Sequence, residues 1–325
     1  MRALTADMQV ATAKPLADRI AAAVAVVALV FVVPAAKAGP LEDGVAAYKS
    51  GDYATALRLL SPLAEGGNAQ AQFDLAIMYE RGRGVPQDYA QAAKWYRRAA
   101  DQGAAQSQIK LGYMFFYGRG VPQDYVEAIK WYRQAAQQDV AEAQYALGIM
   151  YENGQGVPPD FAEAVSWYRR AADQRYTDAQ FNLGIMYYNG RGVPQDYAEA
   201  AQWFLRAAAQ GDAKAQQNIA AMYDNGLGVA EDDATAVKWY RRAADQGDPR
   251  AQNDLCTMYA TGEGVSRDYV LAYMWCNLAA ANPEGENPGL AASNRDKAAS
   301  NLTPAQIEEA QRLAREWKPK KEQPE

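Results

Sequence analysis

No histidine occurs anywhere in the 325 residues. Its absence removes the commonest general base, the commonest metal ligand and every His-based triad. Cysteine is nearly absent too: Cys256 and Cys276 are the only two, too few for a structural zinc site without histidine. Beyond residue 33 no apolar run approaches the roughly 20 residues needed to span a membrane. Positive charge is in the minority, with 33 Lys and Arg against 39 Asp and Glu. An acidic chain without a basic stripe is a poor binder of nucleic acid or of anionic lipid. No isolated serine or carboxylate pair stands outside the repeated pattern described below. No catalytic, cofactor-binding or metal-binding residues are expected, and the chain reads as a non-enzyme.

Residues 1–38 differ from the rest. Lys14 and Arg19 precede an unbroken apolar run from Ile20 to Val33, and Ala36-x-Ala38 closes the stretch. Charge, a 14-residue apolar core and a small-x-small end are the parts of a secretory signal peptide. An uncleaved N-terminal anchor is the alternative. With the leader removed, 29 Lys and Arg face 37 Asp and Glu, a net charge of −8. The expected location is outside the cytoplasm, periplasmic or secreted, with no membrane span after cleavage.

The remainder is organised by repetition. Trp95, Trp131, Trp167, Trp203, Trp239 and Trp275 stand 36 residues apart. Gly82, Gly118, Gly154, Gly190, Gly226 and Gly262 keep the same step, as do Gly84, Gly120, Gly156, Gly192, Gly228 and Gly264. Six units fill residues 68–283 without insertion or deletion. In the first, Ala71, Leu75, Met78 and Tyr79 recur at helical spacing. Gly82 and Gly84 stop that helix, because glycine accepts the left-handed conformation of a C-cap. Val85 and Pro86 lead to Asp88, a good N-cap for a second helix. The second helix carries Ala92, Trp95, Tyr96, Ala99 and Ala100 on one side and ends at Gly103. Each unit therefore predicts two antiparallel helices, here called A and B.

Ala76, Gly112, Gly148, Gly184 and Ala220 share one position of helix A, and Ala92, Ala128, Ala164, Ala200 and Ala236 share one of helix B. Small residues there let the two backbones approach closely. One hairpin cannot hide its Trp and Tyr, but stacked neighbours can. Six copies of G-x-G-V at one architectural place are turns rather than phosphate loops. The recurring Asp88, Asp124, Asp160 and Asp196 are N-caps, and six of the seven Trp are architectural.

The pattern A-x-x-x-L-G-x-M-Y-x-x-G-x-G-V-P-Q-D-Y-x-x-A-x-x-W-Y-x-x-A-A resembles the Sel1-like repeat, a relative of the tetratricopeptide repeat with a longer loop inside the hairpin. The resemblance implies an all-α fold, an α/α right-handed superhelical solenoid of helical hairpins. It also implies an adaptor or regulator working through protein contacts, with many bacterial relatives exported and active in envelope signalling or surface polysaccharide control. Residues 39–67 fit a degenerate capping hairpin with a short turn, 68–283 the six repeats, 284–317 C-terminal capping helices and 318–325 a disordered tail. Thr303-Pro304-Ala305-Gln306 reads as a capping box.

In an exported chain the pair Cys256 and Cys276 reads as a disulfide, with two buried thiols as the alternative. Cys256 takes the small position of helix A and Cys276 the Tyr position of helix B. Cysteine-rich secreted relatives link helix A to helix B from the places of Gln252 and Ala280. The resemblance then implies the same link, moved four residues inward on both helices.

A partner, protein or peptide, is expected in the concave groove lined by helix A. In the second unit Phe115 fills the regular Tyr position and belongs to the core, whereas Tyr113, Phe116 and Tyr117 are additional. Tyr188 takes the Phe116 position in the fourth unit, where Glu80, Glu152 and Asp224 stand elsewhere. Exposed, these aromatics would be binding anchors, with Lys110, Asn182 and Asn218 alongside to hydrogen-bond a partner's backbone. The alternative is that a neighbouring helix covers them. The aromatic set is compatible with a glycan ligand as well as a peptide.

Overall fold

The computed structural model describes residues 39–282 and 288–320. The proposed leader, residues 283–287 and residues 321–325 lie outside the described residues. Those described form sixteen α-helices and no strand. The opening hairpin is α1 (Pro40–Ser50) and α2 (Tyr53–Glu65). Six hairpins follow: α3 (Ala69–Arg81) with α4 (Tyr89–Asp101), α5 (Ala105–Tyr117) with α6 (Tyr125–Gln137), and α7 (Ala141–Asn153) with α8 (Phe161–Asp173). Then come α9 (Thr177–Asn189) with α10 (Tyr197–Ala209), α11 (Ala213–Asn225) with α12 (Asp233–Asp245), and α13 (Pro249–Thr261) with α14 (Tyr269–Ala281). The last two are α15 (Pro288–Ala299) and α16 (Pro304–Glu316). They gather into two compact units that divide after Ala171.

The loop inside each of the six repeats is closed by two groups throughout and by a third in three of them. Helix A ends on a left-handed glycine whose N–H donates to the Met carbonyl four residues back, as Gly82 does to Met78. The N-cap aspartate of helix B then donates its own N–H back across the loop, Asp88 to the Tyr79 carbonyl at 3.0 Å and Asp268 to that of Tyr259 at 2.9 Å. In the first, second and fourth repeats the glutamine before the aspartate caps helix A from outside, whereas Pro159, Glu231 and Arg267 stand there in the others. Gln87, Gln123 and Gln195 donate from Nε2, each at 2.8 Å, to the carbonyls of Glu80, Phe116 and Tyr188. Most of the orphan groups at both helix ends are thereby paired within the loop.

The second glycine of G-x-G has a different task. A Cβ on Gly84 would lie 2.8 Å from the Tyr53 carbonyl oxygen, in the preceding hairpin. Gly120 and Gly156 press in the same way on Tyr89 and Tyr125, and Gly228 and Gly264 on Tyr197 and Asp233. The first glycine ends a helix; the second lets one hairpin's loop lie against the backbone of the hairpin before it.

Hairpins are also joined by a buried glutamine on helix A that recurs in all six repeats. Gln72, Gln108, Gln180 and Gln216 donate to the carbonyls of Ala64, Ala100, Ala172 and Ala208, in the last turn of the preceding helix B, at 3.0–3.2 Å. Gln144 and Gln252 reach Ala136 and Ala244 at 3.5 and 3.3 Å. A second glutamine at the end of helix B donates to the first, as Gln102 does to Gln72 at 2.7 Å and Gln246 to Gln216 at 2.9 Å. A buried amide left without partners costs about 1–3 kcal/mol, so this chain of amides fixes the register between neighbouring hairpins.

Within a hairpin the small position of helix A faces the aromatic position of helix B. A Cβ on Gly112 would stand 2.9 Å from the Tyr132 ring, and one on Gly184 2.7 Å from the Phe204 ring. In the sixth repeat the same two positions hold Cys256 and Cys276, which form a disulfide with 5.4 Å between Cα atoms. Cysteines at two positions already in contact need no backbone adjustment to bond.

At the end of the second unit α15 and α16 both pack on α14. Thr303 and Gln306 make a reciprocal capping box, with Pro304 at the first helical position. Ala310 and Ala314 are buried, and the Trp317 ring meets Trp275 edge-on at 6.3 Å. The tail expectation needs correction here. Residues 318–320 lie against α12, where the Lys320 N–H donates to the Asp245 carbonyl at 2.8 Å and Nζ reaches its carboxylate at 3.1 Å. The Trp317 and Pro319 side chains cover Gly247.

Candidate interaction surface

The helix-A face follows from a simple pattern. Each helix A carries, one residue after the invariable Met-Tyr or Met-Phe pair, a carboxylate (Glu80, Glu152, Asp224), an aromatic (Phe116, Tyr188) or, in the sixth repeat, Ala260. In the first and third repeats this carboxylate accepts from the hydroxyl of the helix-B tyrosine. Tyr168 donates to Glu152 at 2.6 Å, and Tyr96 to Glu80 in a short bond. Burial, followed by the Glu80 charge and hydrogen bond, holds the Tyr96 hydroxyl well above the usual phenol range.

The second repeat breaks the pattern. Phe116 replaces the carboxylate, and the fully buried Tyr132 is left with a hydroxyl that has no hydrogen-bond partner. Burial first, then the neighbouring Glu142, Tyr117 and Tyr113, raise its pKa well above normal. The fourth repeat keeps the account balanced, since Tyr188 replaces the carboxylate but Phe204 replaces the tyrosine. A direct check follows. Tyr168→Phe is expected to cost about 1–2 kcal/mol, because it strips Glu152 of a partly buried donor. Tyr132→Phe, which removes only an unpaired hydroxyl, is expected to be neutral or stabilising by up to about 1 kcal/mol. Urea midpoints of the two variants would show it; equal losses would mean that the Tyr132 hydroxyl is bonded in solution.

The aromatic anchors are not where the sequence puts them. Tyr113 and Phe116 are each only 7% exposed, which corrects the expectation that both stand free on the surface. Tyr113 packs on Tyr117 with ring centroids 4.6 Å apart and lies under the Arg119 guanidinium at 5.4 Å. Phe116 meets Tyr117 at 4.8 Å and Tyr125 at 5.1 Å, edge-on to both. The covering comes from the cluster itself and from the first residue of the following helix. Rings of this size on adjacent turns bury one another more cheaply than they face water. Tyr117 stays half-buried at the rim. Lys110, also half-buried, reaches back to Glu80 of the preceding repeat at 3.4 Å.

In the second unit Tyr188 is half-buried and edge-on to Tyr197 at 5.0 Å, and burial raises its hydroxyl pKa. Asn182 is half-buried; Asn218 is only 2% exposed, so it is no surface clamp, and its Oδ1 has no partner. The structure thus gathers Tyr113, Phe116, Tyr117 and Lys110 in the first unit, and Tyr188, Asn182 and Asn218 on α9 and α11 of the second. The glutamine chain between hairpins is what sequence reasoning passed over, although its 36-residue step was visible.

The model of the Sel1 repeat matches six consecutive segments: 69–103, 105–140, 141–176, 177–212, 213–248 and 249–283. The chain is a member of the Sel1 repeat family. Among solved structures it is similar to a Sel1 repeat protein from Oxalobacter formigenes, at 32% identity and a TM-score of 0.65, over 77% of this chain and all of that one. It is also similar to c5321, a protective antigen of uropathogenic Escherichia coli displaying the SLR fold, at 31% identity and a TM-score of 0.56, over 86% of this chain and 68% of that one. No curated protein matches. Sel1 repeats generally mediate protein–protein interaction, and Sel1-repeat solenoids are typically non-enzymatic scaffolds. Among the described residues no helix of this Sel1 repeat protein is long and apolar enough to cross a membrane, and no cluster of metal-ligating side chains occurs.

Proposed function

We propose that this Sel1 repeat protein is an exported adaptor or regulator that engages a protein or peptide partner on the helix-A face of its repeats, in envelope signalling. The observation that carries the reading is the replacement of the helix-A carboxylate by aromatics in the second and fourth repeats, with Tyr117 and Tyr188 held at the rim by packed neighbours. Part-exposed rings fixed from behind lose little entropy on binding, which is what binding anchors require. The disulfide and the leader-like residues 1–38 agree with export to an oxidising compartment. The test is capture under mild crosslinking from the native compartment, comparing the wild type with Tyr117→Ser/Tyr188→Ser. A protein recovered only with the wild type supports the adaptor reading and places its site. Equal recovery moves the site to another face. Recovery of a polysaccharide instead supports an envelope polysaccharide-binding or assembly scaffold.

A further inference from the structure

The helices B of the first three repeats share an exposed face whose charge the sequence conceals. Lys94, Arg97 and Arg98 stand on α4, Lys130 and Arg133 on α6 and Arg170 on α8, and all six are exposed. Lys130 and Arg133 take on α6 the places that Lys94 and Arg97 hold on α4, and Arg170 takes that of Arg98 on α8. Stacking brings these places side by side, since the Arg97 guanidinium lies 5.3 Å from the centre of the Trp131 ring on α6. The expectation of a chain without a basic stripe is corrected here. The chain is acidic as a whole, but the fold collects on one face cations that the 36-residue step keeps apart in the sequence.

Of the six, Lys130 is paired with a carboxylate, that of Glu127 at 2.5 Å; the other five form no ion pair among the described residues. Aromatic rings hold the arginines instead. Arg97 lies over Phe115 at 5.5 Å as well as over Trp131, Arg98 over Trp95 at 4.5 Å, and Arg170 over Trp167 at 4.7 Å. Arg133 lies over Tyr151 at 5.8 Å and donates to its hydroxyl in a short bond. A guanidinium stacked on a ring uses its face and keeps N–H donors at its edge for a ligand. The stack also restrains the side chain before anything binds, which lowers the entropy lost on binding. The band has acidic margins. Asp88, Asp124 and Asp160 cap its helices at one end, with Glu127 and Glu163 in the first turns of α6 and α8, and Asp101 and Asp139 stand at the other end. Carboxylates on both sides repel a broad polyanion or an anionic lipid plane and admit a ligand one chain wide.

We propose that the helix-B face of the first unit binds an extended acidic segment of a partner protein, with its carboxylates on the edges of the Arg97, Arg98, Arg133 and Arg170 guanidiniums. The planar fork of a guanidinium matches a carboxylate with two parallel hydrogen bonds, which sets where each acidic side chain sits. Lys94 and Lys130 add charge along the same path without that geometry. The band is particular to the first unit. In the second, α10 has Gln202 and Leu205 at the places of Lys94 and Arg97, and α14 carries no cation at all, so Lys238 and Arg241 on α12 stand without neighbours of their kind on either side. This surface is separate from the helix-A face and serves a second contact, chosen by charge where the first is chosen by aromatic packing.

The test is binding to the purified chain of three probes: a labelled, end-blocked peptide of Glu-Gly repeats, its Gln-Gly counterpart, and phosphatidylglycerol vesicles. The acidic peptide is expected to bind with a Kd on the order of 100 μM in about 20 mM salt, and roughly tenfold more weakly in about 500 mM salt. Arg97→Gln/Arg98→Gln/Arg133→Gln is expected to weaken binding about tenfold. Lys94→Glu/Lys130→Glu, which removes no ring contact, should weaken it about fivefold and decides the matter if loss of the stacked arginines unfolds the hairpins. Arg206→Gln/Lys238→Gln/Arg241→Gln takes the same charge from the second unit and should change the affinity less than about twofold. Equal binding of the Gln-Gly peptide, no binding up to about 1 mM, binding to the vesicles but not to the peptide, or equal losses from the first-unit and second-unit variants overturns the proposal. None of these outcomes alters the partner capture that depends on Tyr117 and Tyr188, so the two readings fail separately.

Discussion

Gly120→Ala is expected to destabilise the first unit by about 3–5 kcal/mol, whereas Gly118→Ala, two residues earlier, costs about 1 kcal/mol. Both glycines have positive φ, 67° at Gly118 and 70° at Gly120. The left-handed conformation alone costs an L-residue about 1–2 kcal/mol, partly offset by the smaller entropy of the unfolded alanine chain. At Gly118 little is added, because a Cβ would lie 3.2 Å from the Gln123 Cβ and could be met by a small shift. At Gly120 the new carbon would fall on the Tyr89 carbonyl group and within 2.7 Å of the Ala90 nitrogen. Those atoms belong to the first turn of α4 and cannot rotate away. The loop must then lift off the preceding hairpin. Urea unfolding followed by tryptophan fluorescence would separate the two variants. Similar losses from both would mean that the hairpins do not press together there in solution.

That difference was invisible in the sequence. The 36-residue step of Trp and Gly establishes that there are repeats, and the A-x-x-x-L-G and V-P-Q-D segments establish two helices with a capped loop between them. Periodicity treats Gly118 and Gly120 alike, since both are glycines in a turn. Only the placement of one hairpin on the next shows that the second touches backbone. The same limit explains the aromatic set. Reading Tyr113, Phe116 and Tyr117 against the other repeats finds the departure correctly, because Glu80 and Glu152 stand where Phe116 does. It does not show that the rings would turn on one another and on Tyr125, which depends on how α6 enters beside α5. The buried glutamines were legible in principle, as a polar residue at a core-facing position in every repeat. Their bonds run to backbone carbonyls of the preceding hairpin, which carry no sequence signature at all.

Loss of the Cys256–Cys276 bond is expected to cost the second unit about 3 kcal/mol in the chain-entropy model, for a separation of 20 residues. The loss should be confined to α13, α14 and the helices packed on α14, since a repeat array passes stability only between neighbours. Hydrogen exchange on Cys256→Ala/Cys276→Ala should therefore show faster opening across Pro249–Ala281, α15 and α16, with the opening hairpin unchanged. Both sulfurs are buried, with Cys256 and Cys276 at 1% and 0% exposure, so the alanine pair also leaves a small void that adds to the loss. The cross-link and the packing can be told apart by a second pair, Cys256→Gly/Cys276→Tyr. This restores the combination that Gly112 and Tyr132 make in the second repeat, where glycine gives the ring its room. If the repeat geometry is what brought the cysteines together, the Gly/Tyr pair fills the void and recovers the packing share of the loss, though not the share due to the closed loop. If it proves as unstable as the alanine pair, the sixth hairpin has drifted from the geometry of the others, and the disulfide is then what holds it in place.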